Sequence, residues 1–294
     1  MVKETFGDKL LSFIIHALLV LALLAVLYPL LFVLAASISD PSKVLGGEVW
    51  LWPKGITFRG YEKVFQNNDI LQGYGNTILY TVIGTAVNIV MTILAAYPLS
   101  RKDLAGRGFF TAFFVFTMFF SGGLIPTYLL VKNLGMVNTM WALIIPNALA
   151  IWNVIIMRTF FQQNIPIEVQ ESAQIDGCSN VQILVRIVLP LSMPILAVMT
   201  LFYSVAHWNS FFSALIYLTD RSKYPLQLVL REILIQSNLK DMVGTSEESL
   251  AKSVMEGESI KYAVVIIANL PVLLLYPFLQ RYFVKGLVIG AVKG

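Results

Sequence analysis

The amino-acid sequence predicts an all-α, polytopic membrane protein with six transmembrane helices, and three observations carry that expectation. Of the 294 residues, 57% are hydrophobic and only 13% are charged, against about 25% charged in an ordinary soluble domain. Mean hydropathy is +0.75, and so few charges cannot coat a soluble surface. Six stretches of at least 19 residues contain no Asp, Glu, Lys or Arg: 10–39, 70–100, 108–131, 133–157, 187–219 and 262–280. Disorder requires the opposite composition, low hydrophobicity with high net charge.

A bilayer core about 30 Å thick takes about 20 residues of helix, and a charge at its centre costs about 2.5–3.5 kcal/mol. Helices are therefore expected near 11–35, 73–97, 109–131, 139–161, 184–206 and 260–282. A membrane β-barrel would show alternating segments of about ten residues, which these runs do not resemble. Lys3 and Lys9 precede the first run, but Leu10 to Ala36 outlasts a signal-peptide core of about 7–15 residues. It reads as a retained helix with the amino terminus inside, and an even number of spans returns the carboxyl terminus to that side.

Loop charges set the orientation. The short connection 98–108 carries Arg101, Lys102 and Arg107, whereas 132–138 has only Lys132, and the tail adds Arg281, Lys285 and Lys293. The positive-inside rule places the basic connection and the tail in the cytoplasm. One transmembrane domain over 1–294 is expected. It has external loops at about 37–72 and 207–259, a cytoplasmic connection at about 162–183 and a cytoplasmic tail at 283–294. Trp50, Trp52 and Pro53 suit interfacial anchoring in the first external loop.

The net charge is +4, but its densest basic group lies between two apolar runs, so no nucleic acid is expected as a partner; membrane lipid is. A single cysteine, Cys178, excludes an internal disulfide, and His16 and His207 alone give no zinc motif, so no metal site is expected. Nucleophile elbows, phosphate-binding loops and dinucleotide fingerprints are all missing, which argues against an enzyme. Apart from the two histidines, no ionisable acid or base lies inside the six runs. Each histidine falls near a helix end and reads as an interfacial or packing residue. A proton or ion pathway needs such groups, so the energy for any transport must come from outside this chain.

The most informative stretch is the connection after the fourth run, Ile165-Pro-Ile-Glu-Val-Gln-Glu171-Ser-Ala-Gln-Ile-Asp176-Gly177. Pro166 suits the first turn of a helix, and Glu168 and Glu171 favour its amino-terminal dipole. Ile167, Gln170, Glu171, Gln174 and Ile175 fall on neighbouring faces. Asp176-Gly177 ends the helix, with glycine supplying the left-handed stop, and Ser179 or Asn180 caps the next. Pro190 and Pro194 interrupt that following helix as it enters the membrane. The spacing predicts a short cytoplasmic helix tied by tight turns to two spans. It equally fits a surface helix that only connects them.

Glu171-Ser-Ala-x-x-Asp176-Gly177 followed by Ile187-Val-Leu189-Pro190-Leu-Ser-Met-Pro194 resembles the EAA loop of ATP-binding-cassette importer permeases. It is most similar to the maltose-type, MalG-like carbohydrate branch, although Ser172 and Cys178 stand where alanine is usual. Ser121-Gly-Gly-Leu-Ile-Pro126 and Leu134-Gly135-Met-Val-Asn138-Thr-Met-Trp141 resemble the LplC-like subgroup assigned to complex oligosaccharides and polysaccharides. Trp208-Asn209-Ser-Phe-Phe resembles a family feature at the outer end of the fifth helix, and Gln280 to Gly294 resembles the MalG-type tail.

The resemblance implies a type I importer permease fold in the bacterial cytoplasmic (inner) membrane, with both termini cytoplasmic. It implies a heterotetramer of this chain, a second homologous permease subunit and two ATPase subunits, supplied by an extracytoplasmic solute-binding protein. The cargo would be oligosaccharides or polysaccharide fragments; ATP and Mg would be bound by the partners, and this chain would hold no cofactor. Coupling to the ATPases would fall to Glu168, Glu171, Ser172, Ala173, Asp176, Gly177, Leu189 and Pro190, with Glu171 as a polar contact and Ala173 in close packing. Lys285, Gly286, Lys293 and Gly294 of the tail would contact the ATPases.

Sugar hydroxyls need hydrogen-bond partners and aromatic faces. The membrane segments offer Asn76, Tyr80, Asn88, Asn147, Trp152, Asn153, Tyr203 and Trp208, each of which also suits helix–helix bonding or an interfacial belt. The alternative function is a stand-alone, gradient-driven sugar or metabolite carrier, which would need a mid-membrane ion site. An accessory membrane protein without a transport path is a third class.

Overall fold

In the computed structural model, residues 5–240, 255 and 257–274 are described, and among them helices account for the regular structure, with no strand. Three helices are individually long and apolar enough to cross a bilayer: Phe6–Ser37, Asn68–Ser100 and Gly257–Leu274. Three more spans are bent pairs. Arg107–Phe119 turns into Leu124–Asn133 at 111°, Trp141–Asn147 into Ile151–Asn164 at 52°, and Asn180–Leu191 into Met193–Trp208 at 82°. Taken one per pair, they complete the six spans expected from the sequence.

The bends differ from the unbroken third and fourth helices that hydropathy predicts, and each has a local cause. Ser121-Gly122-Gly123 interrupts the third, with Gly123 at φ +83°, a backbone region that L side chains disfavour. In the fourth, Pro146 lies in a 3₁₀ turn, Ile145–Asn147, and Ala150 then runs extended at φ −93°, ψ 111°. The fifth breaks where Pro190 and Pro194 were expected to break it. A π turn, Leu184–Val188, precedes Pro190, with the Leu189 N–H bonded to the Leu184 carbonyl. That wider winding draws the chain away from the α-helical geometry in which the proline ring would strike the carbonyl four residues back.

The contacts resolve two compact units, one built on Met1–Ile70 with Leu230–Leu270 and the other on Leu71–Val229. In the first, Thr5 and Asp8 form a capping box that starts the Phe6–Ser37 helix. The apolar window of that helix has none of its residues buried within this chain, so its surface is left to lipid or to other polypeptides. Its far end is held by the Tyr61 hydroxyl, which donates to Ser37 Oγ at 2.9 Å, and by an edge-to-face pair of Phe32 with Tyr262.

Among the described residues, the second unit holds two clusters of buried side chains. One gathers Tyr97 and Leu99 from the second span, Met157 and Phe161 from the fourth, and Ile183 and Met199 from the fifth. The other joins Tyr80, Leu143, Tyr217 and Leu228. Over the second core, the loop 218–226 is stitched down by side chains distant in sequence. Asn138, at φ 61°, accepts through Oδ1 from the Thr219 and Asp220 N–H groups and receives Lys223 Nζ on its carbonyl at 2.9 Å. Thr77 Oγ1 accepts the Leu226 N–H at 2.8 Å.

Candidate functional site

The connection after the fourth span forms a nine-residue helix, Ile167–Ile175. Pro166 stands one place before the expected first turn, at the cap, with φ −58° and ψ 138°. At the other end Gly177 adopts φ +83°. Its N–H donates to the Gln174 carbonyl at 3.0 Å, and the Cys178 N–H donates to the Ala173 carbonyl at 2.9 Å. Those two bonds are the pair that closes a Schellman stop. Ser179 rather than Asn180 caps the next helix, in a capping box with Gln182.

The helix is two-faced. Ala173 is only 7% exposed and joins the core of Tyr97, Phe161 and Met199, so its close packing is made inside this chain. Glu168, Glu171, Ser172, Asp176 and Gly177 are exposed, and Ser172 Oγ is turned back onto the Glu168 carbonyl at 2.8 Å. Ile175 is 87% exposed, an apolar side chain on the outer face. Leu189 is half-buried and Pro190 exposed, beside the break in the fifth span.

A cleft of about 930 Å³ separates this helix from the basic connection that follows the second span. Arg101 crosses it: Nη1 donates to Gln170 Oε1 at 2.8 Å, and Nε and Nη2 donate to the two Asp103 carboxylate oxygens at 2.9 and 2.8 Å. Those hydrogen bonds from Arg101 hold the Asp103 carboxyl below its usual range, and Asp103 in turn raises the Arg101 guanidinium. In the sequence Arg101 is legible only as a cytoplasmic charge under the positive-inside rule; nothing along the chain links it to Gln170, so the fork emerges only in the structure.

The cargo residues proposed from sequence divide. Asn88, Asn147, Asn153 and Tyr203 line one cavity of about 500 Å³, together with His207 and aromatic faces such as Phe202 and Phe211. Asn88 Nδ2 donates to the Asn147 carbonyl at 2.6 Å, and its Oδ1 faces His207 Nε2 at 2.6 Å. Tyr203 is paired with Thr92 through their hydroxyls at 2.7 Å. Close packing sets this corner: a Cβ on Gly84 would lie 2.5 Å from the His207 ring. His207 thus lines the cavity and contacts Asn88, as well as packing against Gly84.

The others are elsewhere. Asn76 Nδ2 donates to the Ser222 and Tyr224 carbonyls, and Tyr80 OH to the Lys223 carbonyl. Both hold the 218–226 loop, where backbone carbonyls claim their donors. Trp208 is buried against Tyr74, and Trp152 is 62% exposed outside the cavity. Lys285, Gly286, Lys293 and Gly294 lie outside the described residues. Among the described residues, no group of three or more His, Cys, Asp or Glu side chains could hold a metal ion.

Residues 1–289 match the family described as "Binding-protein-dependent transport system inner membrane component". The chain belongs to that family. The permease is 45% identical to Protein LplC of Bacillus subtilis over 266 residues, covering 90% of this chain and 89% of LplC. It is 42% identical to the polygalacturonan/rhamnogalacturonan transport system permease protein YtcP of the same organism, covering 98% and 99% of the two chains. Among solved structures it superposes on a chain of a bacterial ABC transporter involved in the import of the acidic polysaccharide alginate. The TM-score is 0.85 at 31% identity, over 96% of this chain and 100% of that one. The permease therefore has the type I ABC importer fold and is a membrane transport component rather than an enzyme.

Proposed function

We propose that this permease is the membrane subunit through which separate ATPases drive import of oligosaccharides or polysaccharide fragments, and that the 167–175 helix is the coupling element. One observation carries the proposal. The helix is stopped by a two-bond turn, offers Glu168, Glu171 and Ile175 outward, and is rooted by Ala173 in a core shared with the second, fourth and fifth spans. Protein interiors are close-packed and transmit displacement rather than absorb it. A short helix with acidic and apolar groups outward suits a groove on a partner. Leu189 and Pro190 then lie at the joint where that displacement reaches the bent fifth span.

The cargo reading draws on relatives named for polygalacturonan, rhamnogalacturonan and alginate, and on a cavity that offers amide, phenol and imidazole groups beside aromatic faces. Asn88, Asn147, Asn153 and Tyr203 form the path on this subunit. Asn76, Tyr80, Trp152 and Trp208 are removed from it. The expected assembly has a second homologous permease, two ATPases holding ATP and Mg, and an extracytoplasmic solute-binding protein. The tail residues Lys285, Gly286, Lys293 and Gly294 are assigned to the ATPase contact by resemblance. The whole chain acts as one permease domain in the bacterial cytoplasmic membrane. Arg101 bonds to Gln170, so the basic connection and the coupling helix share one end of the molecule. The positive-inside rule then puts both, and the two termini, in the cytoplasm.

Affinity purification from native membranes tests this. The tagged permease should bring down an ATP-binding-cassette ATPase and a second permease, and the reconstituted assembly should take up oligogalacturonate only with ATP and binding protein. Uptake by this chain alone under an ion gradient would overturn the proposal.

A further inference from the structure

The coupling helix is covalently joined to the fourth and fifth spans, but the second span is distant from it along the chain: Arg101, just beyond that span, lies sixty-nine residues before Gln170. That span is tied to the helix by side chains only. Arg101, the first residue beyond the Asn68–Ser100 helix, spends its guanidinium in two directions. Two donors grip both oxygens of Asp103 in the connection, and a third reaches Gln170 on the coupling helix. The guanidinium side chain is only 13% exposed. The carbonyls that end the second span are themselves occupied. Arg158 Nε donates to the Leu99 carbonyl at 3.0 Å, and Gln162 Nε2 to the Ser100 carbonyl at 3.4 Å. Both donors sit on the 151–164 helix, directly ahead of the coupling helix.

These bonds close a triangle of the second span, the fourth span and the coupling helix. Cations at a helix carboxyl end are favoured by its dipole. A planar guanidinium paired bidentately fixes direction as well as distance, which an ammonium does not. Resting on the coupling role given above to the 167–175 helix, we propose that Arg101 is a positioning residue that makes the second span move with that helix as one body. The stroke thereby reaches a span, and the Asn88 side of the cavity, that the chain's own connections do not reach.

The test uses the full assembly in proteoliposomes, with Cys178→Ser as background and spin labels at Lys102→Cys and Gln174→Cys, both exposed positions. Wild-type Arg101 should give one narrow interlabel distance that is the same without nucleotide and with ATP and vanadate. R101A should widen that distribution roughly twofold and Q170A should widen it as well, the double variant no further than R101A, since the Arg101–Gln170 bond is already lost in R101A. Q170E, which keeps the acceptor, should restore it. Should R101A fail to assemble, R101K is read on the same distance and should also widen it, because lysine lacks the fork. A wild-type distance that shifts with ATP and vanadate, or an R101A distance as narrow as wild type, overturns the inference. If the ATPases do not co-purify with the wild type, the coupling role falls, and this inference with it. If they do and R101A is unchanged, only the inference falls.

Discussion

Replacing Gly177 tests the coupling helix most directly, because its cost can be worked from the geometry. A Cβ at this position meets nothing within 4 Å, so no steric clash confuses the result and the backbone alone sets the cost. At φ +83° an L residue pays about 1–2 kcal/mol for the left-handed region. The chain can escape that strain only by giving up the two bonds of the stop, at 2.9 and 3.0 Å, worth about 0.5–1.5 kcal/mol each. The strained route costs about 1–2 kcal/mol and the bond-breaking route about 1–3 kcal/mol, so the population of the correctly ended helix should change roughly tenfold. Asparagine tolerates the conformation and a β-branched residue does not, so the order of function should be glycine, asparagine, alanine, valine. The assay is the ratio of ATP hydrolysis with and without loaded binding protein in proteoliposomes. G177N should stay near wild type, and G177V should lose most of the stimulation. Full stimulation and normal uptake in G177V would refute the argument that a fixed stop transmits the stroke.

Two further outcomes are expected. G84A should push the His207 ring away from Asn88 and lower the melting temperature of the purified assembly, because the new Cβ would sit 2.5 Å from the ring. Adding H207A should recover part of the loss, and a double variant no better than G84A would refute the packing argument. The Asp103 carboxyl is held below its ordinary value of 3.8, chiefly by hydrogen bonds from Arg101. A lowered folded-state value contributes stability above the ordinary one and loses it as pH falls through the folded one, so the fork should be intact from about pH 6 to 8. The Lys102–Gln174 label distance should stay constant over that interval and widen in D103N throughout it; a transition near neutrality would contradict the assignment.

The membrane spans were legible because burial in lipid is a property of contiguous composition: a charge-free run of sufficient length is its own evidence. The limits of the 167–175 helix were legible for a related reason, since Pro166 and Gly177 act on their own backbone torsions and need no distant partner. The break in the fifth span followed from Pro190 and Pro194 in the same way. The break in the third did not, because Ser121-Gly122-Gly123 was read within a hydrophobic run and not as punctuation.

Side-chain employment was not legible. Asn76 and Asn88 both lie on the second span and present the same amide. One is claimed by carbonyls of the 218–226 loop and the other faces a cavity beside His207. Arg101 carries the charge that oriented the chain, yet its work is a hydrogen bond across sixty-nine residues. The sequence by itself determined how many times the chain crosses the bilayer and where the 167–175 helix starts and stops, because those depend on local composition and local torsions. Only the tertiary structure decided which polar groups line the cavity and which merely hold the scaffold, because a polar side chain takes whichever partner packing brings within about 3 Å.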